Sequence, residues 1–417
     1  MVNADTTENS ILTPQDLPAI LVGGPPHAGK SVLTYNLTRE LRNREIPHYV
    51  LRASTDVEGD WFSEGDFNTV LEIRRNVRDN ESYARYNQIF VDLVCHDLPR
   101  RYMPFIVDVG GKPTDNDTCI FQNCTHSILL LIDKLVEDTK TWHHYTQLNK
   151  NLTSIAELQS LLPPGSFLTS KPNDPILRGT ITNLDRKVRV PNLKGDEVFD
   201  ALIERVSALF SSPKISGGKL EQWHQSLAQG PVADLTHELH KRYSTRDEWV
   251  SDMLEPLVEE LPSQNAMWVY GRAPNWLYGA LTLHTRNQPF HLFDARLGWV
   301  KPPTLQTGAS QQVPQDTLDV QVKTHNDSLV MFMHPKYHYL DYDKADQLVF
   351  PELPSNHGLI ITGKLPLWLF TALARLYAQR DVPWIALNDA RTNQPVVIYS
   401  RVANRTIGDI LPPLPKR

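Results

Sequence analysis

The sequence predicts an α/β protein: an N-terminal domain with a mostly parallel sheet, followed by two related β-α-β modules. Three observations lead there. Apolar strand-like runs alternate with amphipathic helical runs from Ala19 onward, a glycine-rich loop joins the first such strand to the first helix, and a pattern near residue 267 recurs near residue 358. The chain has 417 residues, enough for two or three domains, and a hydrophobic fraction of 41% with 9% aromatics can build real cores. Its 42 basic and 48 acidic residues give a net charge of −6, which argues against coating long nucleic acid but leaves room for a small anion in one basic pocket. With no run of 18 apolar residues, no membrane span is expected. The opening MVNADTTENS lacks the basic and apolar regions of a signal peptide, and three cysteines cannot build a disulfide framework, so a reducing cytoplasm is expected.

The first element after the polar start is the strand AILVG, and the segment AILVGGPPHAGKSVLTYNLTREL carries G-x-x-x-x-G-K-[ST], filled by Gly24, Gly29, Lys30 and Ser31. Strand before and helix after are the context a phosphate loop needs. The loop N–H groups and the helix N-terminus would hold phosphates, Lys30 would meet the β- and γ-phosphates, and Ser31 would bind Mg²⁺. ATP with Mg²⁺ is the expected cofactor. The strand PFIVDVGG then delivers Asp108, read as the second Mg²⁺ partner, the alternative being a plain strand-to-loop acid. HSILLLID reads as another buried strand. GTITNLDRK places Asn183 and Asp185 where nucleotide-binding relatives read a base. Asp56, Glu58 and Asp60, beyond the strand HYVLRA, are read as solvated loop acids rather than a substrate site.

Two stretches, Ser211–Gly218 and Lys301–Asp316, have linker composition and suggest segments 1–212, 213–310 and 311–417. The last two share a repeat. Gly271, Pro274, Trp276, Leu277, Ala280 and Leu281 match Gly363, Pro366, Trp368, Leu369, Ala372 and Leu373. Asp294-Ala-Arg296 then matches Asp389-Ala-Arg391, the offset moving from 92 to 95 residues. Each unit reads as an apolar strand ending at Gly, a basic residue, a helix begun near Pro, and a second buried strand carrying Asp and Arg at its end. Before the second copy, LDVQVKT and SLVMFMH read as a hairpin around Asn326-Asp327. The first copy lacks an evident equivalent and instead predicts helices over Ala233–Tyr243 and Asp247–Glu260.

The segments GLIITGKLPLWLFTALARLYA, VPWIALNDAR and PVVIYS resemble the small ring-nuclease family of type III CRISPR systems. YGRAPNWLYGALTLHTRNQPFHLFDARLG carries the same signature. Some members of that family are fused to a phosphate-loop ATPase-like domain. The resemblance implies small dimerising α/β modules that bind cyclic oligoadenylate, chiefly the four-adenylate ring, and cleave it to linear products. It implies that Gly271 and Arg272, like Gly363 and Lys364, face ligand phosphates, and that Asp294, Arg296, Asp389 and Arg391 sit near the scissile phosphate. Arg supplies charge stabilisation there, and Asp orients that Arg, binds a metal such as Mn²⁺, or serves as base. The alternative for each Asp–Arg pair is a structural tie from strand to helix. The resemblance also implies a homo-oligomer, a dimer or higher, since the family's ligand is sandwiched between modules.

The sequence departs from the family at a His pair near the helix end. Arg286 and Asn287 stand there in the first copy, and Ala378 and Gln379, followed by Arg380, in the second, with His284 displaced along the helix. A cyclic-oligoadenylate-sensing kinase or ATPase, in which the repeats only bind ligand, therefore stays open beside a ring phosphodiesterase, as does a non-catalytic nucleotide-gated scaffold. Cys119, Cys124 and His126 are read as buried residues rather than Zn²⁺ ligands, and His334 and His338 would share a helix face only if Pro335 allowed a helix. Trp142, His143 and His144 are expected on a helix surface, and Trp276 and Trp368 in the core rather than stacked on adenine.

Overall fold

The computed structural model describes residues 12–53, 81–149, 151–161, 165–184, 192–245, 248–262, 265–285, 287–308, 317–336 and 340–415. Asp56, Glu58, Asp60, Asp185, Arg286 and His338 lie outside them. Two compact units emerge: Met1–His224 with Ala295–Leu297, and Gln225–Asp294 with Gly298–Arg417. Both are mixed α/β. Among the described residues no helix is long and apolar enough to cross a membrane.

Among the described residues the first unit holds seven strands: β1 (Ala19–Gly23), β2 (Tyr49–Ala53), β3 (Phe105–Val109), β4 (His126–Leu131), β5 (Thr153–Ser160), β6 (Phe167–Leu168) and β7 (Leu177–Ile181). Their order is β2-β3-β1-β4-β5-β7-β6, and every pairing is parallel except that of β6 with β7. Helices α1 (Lys30–Asn43), α2 (Glu81–Asp97), α3 (Thr118–Asn123), α4 (Val136–Leu148) and α5 (Glu197–Phe210) connect them, with α6 (Lys219–Ser226) following. The parallel sheet explains why AILVG and HSILLL are continuous apolar runs: their strands are covered on both faces. On one face Ile20, Val22, Ile106, Ile128 and Leu130 pack with Val32, Leu33, Leu37 and Leu41 of α1 and with Phe199, Leu202, Ile203 and Val206 of α5. Asp196 caps α5, its carboxylate accepting from the N–H groups of Val198 and Phe199.

Two expectations for this unit fail. Trp142 is fully buried rather than on a helix surface, and its ring lies directly over Gly23, where a Cβ would come within 2.5 Å of it. Nor is Ser211–Gly218 a free linker. Ile215 is buried with Leu17, Leu220 and Trp223, so this turn-forming sequence is anchored by its one large apolar residue.

The second unit begins with β8 (Val232–Asp234), α7 (Glu238–Tyr243) and the short pair β9 (Ser244–Thr245) and β10 (Glu248–Trp249), then α8 (Leu254–Glu260). The first repeat copy follows as β11 (Met267–Tyr270), α9 (Asn275–His284), β12 (Phe290–Asp294) and β13 (Gly298–Val300). Next come β14 (Gln306–Gly308), β15 (Leu318–His325), β16 (Ser328–Pro335) and β17 (Val349–Pro351). The second copy is β18 (Gly358–Gly363), α10 (Leu367–Ala378), β19 (Trp384–Asp389) and β20 (Gln394–Ser400).

The two copies share four strands in the same order, and the second sheet adds β15. The first sheet runs β13-β12-β11-β8 and the second β15-β16-β18-β19-β20. In both, three parallel strands (β8, β11, β12 and β16, β18, β19) are closed by an antiparallel one (β13, β20). The expected hairpin of β15 and β16 forms, turning at Asn326 with φ 53°. The first copy's counterpart of β16 is β8, which overlaps the start of the stretch expected to be helical. Only Val232, Ala233 and Asp234 extend there, and their pairing with Trp268, Val269 and Tyr270 decides it, not their own propensity. Within the expected linker Lys301–Asp316, Gln306–Gly308 pairs with Val349–Pro351.

Within this unit the copies dock through α9 and α10, whose residues are buried almost all round, as interior helices must be. Arg375 of α10 reaches across to Thr282, Thr285 and Gln288. The far face of the second sheet is covered by the chain's own tail: Leu411 and Leu414 pack on Val330, Ile360, Trp384, Ala386 and Val397.

Candidate functional site

Two sets of residues singled out in the sequence can be followed, one in each unit. In the first, β1 ends at Gly23 and the turn to α1 begins with Gly24 at φ 143°. A Cβ there would stand 2.1 Å from the Leu130 carbonyl oxygen, so only glycine lets the loop leave the sheet at this point. Lys30 Nζ folds back to donate to the carbonyls of Gly24 (2.8 Å) and Pro25 (3.1 Å). Ser31 Oγ donates to Asp108 Oδ2 at 3.3 Å. Strands β1 and β3 are direct neighbours, with Val22 opposite Asp108, which is how residues 77 apart in sequence meet. Gly111 packs against the Pro26 backbone, and Leu184, next to Asn183, packs against Gly29. The loop is thus walled by the D-x-G-G segment on one side and by the Asn183 turn on the other. A hydroxyl beside a carboxylate is a hard-oxygen donor pair that suits Mg²⁺, and Ser31 and Asp108 would hold it.

In the second unit the basic residues and the Asp–Arg pairs lie at the carboxyl ends of parallel strands, where α/β sheets place ligand sites. Gly363 ends β18 at φ 147°, and a Cβ would stand 2.1 Å from the Met333 carbonyl oxygen of β16. Gly271 follows β11 at φ 119°, where a Cβ would stand 2.7 Å from Thr236 Oγ1. Arg272 and Lys364 follow, both exposed. Pro366 and Pro274 each precede the first helical residue rather than occupying it.

The two Asp–Arg pairs differ. Asp389 is 6% exposed, and both carboxylate oxygens are engaged. Oδ1 accepts from the Arg391 backbone N–H (2.8 Å) and lies 3.8 Å from Arg391 Nε; Oδ2 accepts from the indole N–H of Trp276 in the first copy (3.1 Å). Beside it, Asn275 Nδ2 donates to the Asn388 carbonyl at 3.0 Å. Arg391 is half-exposed and pairs with Glu248 at 3.4 Å. In the first copy, Asp294 ends β12 half-buried, whereas Arg296 is buried and, with Ala295 and Leu297, clusters with the first unit. Where the second copy has Thr362 and Asn388, the first has Tyr270 and Phe293, whose rings pack 5.1 Å apart. Its strand ends are filled with aromatic carbon; those of the second copy are polar.

Residues 333–412 match the model of a family described as CRISPR-associated protein (Cas_csx3). This supports a CRISPR-associated protein. No curated protein matches the chain. The matched stretch runs from the end of β16 through the tail and contains Gly363, Lys364, Asp389 and Arg391.

The remaining candidates resolve as follows. Trp276 and Trp368 are buried as expected, but the indole N–H of Trp276 has a role that the apolar pattern did not reveal. Asn275 stands where the second copy has Leu367, and Gly279 where it has Thr371, so the sequence carries signals that this helix start differs. Cys119 bonds to Cys95, so it is no thiolate ligand. Cys124 is buried, and burial pushes its thiol up to about 12. His334 lies in β16, not on a helix. His284 lies 2.7 Å from the Leu261 carbonyl. Ala378 closes α10, buried, and Arg380 donates to Thr307 Oγ1 at 2.9 Å.

Proposed function

We propose that the protein binds cyclic oligoadenylate, cyclic tetra-adenylate first, at the polar strand ends of the second copy and cleaves it, with ATP and Mg²⁺ held at the Gly24–Ser31 loop. The supporting observation is that the family match falls on the second copy, where exposed Lys364 and Arg391 follow the carboxyl ends of the neighbouring strands β18 and β19 and Asp389 closes β19. In the reaction a ribose 2′-oxygen attacks the adjacent phosphorus and the bond to the 5′-oxygen breaks. A 2′,3′-cyclic phosphate and a 5′-hydroxyl result, the 2′-OH proton leaving to a base and the 5′-oxygen gaining one. Lys364 and Arg391 would stabilise charge on the phosphate, and Asp389 would orient Arg391. At the other site Lys30 and the loop N–H groups would hold the phosphates, with Mg²⁺ on Ser31 and Asp108 neutralising their charge. The test is incubation with cyclic tetra- and hexa-adenylate, with and without Mn²⁺ or Mg²⁺. Absence of both binding and cleavage refutes the reading.

A second reading is a sensor in which the repeats bind the ring and the first unit turns over ATP. The engaged oxygens of Asp389 and the lack of a His pair at Ala378 and Gln379 favour it. The ring would then stimulate ATP turnover without being consumed, and Lys30→Ala would abolish the response. A homo-oligomer, dimer or higher, is proposed with either reading; light scattering that gives a monomer at every ring concentration excludes it.

A further inference from the structure

The two repeat copies look equivalent in sequence, yet each holds its Trp differently. Trp276 Nε1 donates to Asp389 Oδ2 of the other copy at 3.1 Å, with both side chains buried. Its counterpart Trp368 is completely buried, with Tyr342 edge-on to its ring at 5.4 Å, and its Nε1 has no partner. The preceding residue at the same helix start repeats the asymmetry: Asn275 Nδ2 donates to the Asn388 carbonyl, a bond that Leu367 cannot make. Packing makes this one-sided. Gly279 lets Leu387 and Ile398 lie directly on α9, which brings the first turn of that helix to the end of β19.

We infer that the chain has one working Asp–Arg centre, in the second copy, and that Trp276 of the first copy is its positioning residue. This rests on the ring-cleavage reading above. Trp276 touches no reacting atom. It fixes Asp389 Oδ2, while the Arg391 backbone N–H fixes Oδ1, so the carboxylate plane is set from both sides. The Arg391 side chain, 3.8 Å from Oδ1, is oriented by that plane. Duplication has thus turned a pair of modules into a site and its support.

The test compares Trp276→Phe with Trp368→Phe in the full chain, measuring cleavage of cyclic tetra- and hexa-adenylate. Phe keeps an aromatic ring and removes only the donor. Trp276→Phe is expected to lower kcat about tenfold, the loss of one hydrogen bond to a charged group, with KM within about twofold. Trp368→Phe should leave both constants unchanged. In the Asp389→Ala background Trp276→Phe should add nothing, since the acceptor of its N–H is gone. Identical behaviour of the two Trp variants overturns the inference, as does additivity with Asp389→Ala or a change in KM alone. Asp294→Ala should retain turnover; its complete loss also overturns a single centre. If the wild-type chain cleaves neither ring, the proposed function fails first and the inference with it. If Trp276→Phe does not fold, Asn275→Leu, which removes the neighbouring tie, takes its place with the same expected kcat loss.

Discussion

Arg375 in the second copy donates from Nε to Thr282 Oγ1 in the first at 2.8 Å, and its Nη2 reaches the Thr285 and Gln288 carbonyls at 3.2 and 3.1 Å. These are carbonyls at and just beyond the C-terminus of α9, so a cation closes the end of a buried helix. Arg375→Met should leave them without a donor and destabilise the second unit by about 2–4 kcal/mol. Lys should rescue little, because it lacks the planar fork. The urea midpoint of the variants checks this.

Gly279 is the other determinant of that docking. A Cβ there would meet Leu387 Cδ1 at 2.6 Å and Ile398 Cδ1 at 2.9 Å. Gly279→Leu should cost about 1–3 kcal/mol or more through overpacking, and Gly279→Ala distinctly less, since the groups it meets are flexible methyl ends. Thermal unfolding of the two variants would order them.

Lys30, Ser31 and Asp108 make a direct prediction for the first unit. ATP with Mg²⁺ should raise the melting temperature of the wild-type chain, and Lys30→Ala should abolish the shift. Ser31→Ala should weaken only the Mg²⁺-dependent part. A shift retained in Lys30→Ala would separate this loop from nucleotide binding.

His224 is fully buried, and burial pulls its imidazole down to about 4 from 6.5. The unfolded chain therefore binds the extra proton first. Stability from this residue is complete above about pH 6.5, falls as pH drops from there, and levels off below about pH 4. The total loss is up to about 3 kcal/mol. His224→Gln should flatten that part of the pH–stability curve.

Cys124, buried with its thiol pushed up to about 12, should resist iodoacetamide in the folded, reduced chain and react only on unfolding. Peptide mass spectrometry of alkylated protein reads this, and before reduction should find Cys95 joined to Cys119.

The sequence by itself determined the α/β class, the strand–loop–helix around Gly24 and Lys30, the strand carrying Asp108, and both β-α-β repeats. Each rests on a local pattern: continuous apolar runs for buried strands, helical spacing after Gly and Pro, and identical residue order in two places. Strand β8 escaped because three residues are too few for a period, and they extend only because β11 offers a partner edge. The burial of Trp142 escaped because the contact that buries it lies on Gly23, far away in the chain. The disulfide between Cys95 and Cys119 depends on how α2 and α3 come together, which spacing cannot express. Most of all, the repeat made Asp294 and Asp389 look alike. Only the tertiary structure gave one of them the Trp276 N–H, because the close approach at Gly279 allows α9 to lie against β19 and β20. Local sequence order sets which elements form; which copy's Asp gains a side-chain donor depends on what the other copy packs against it.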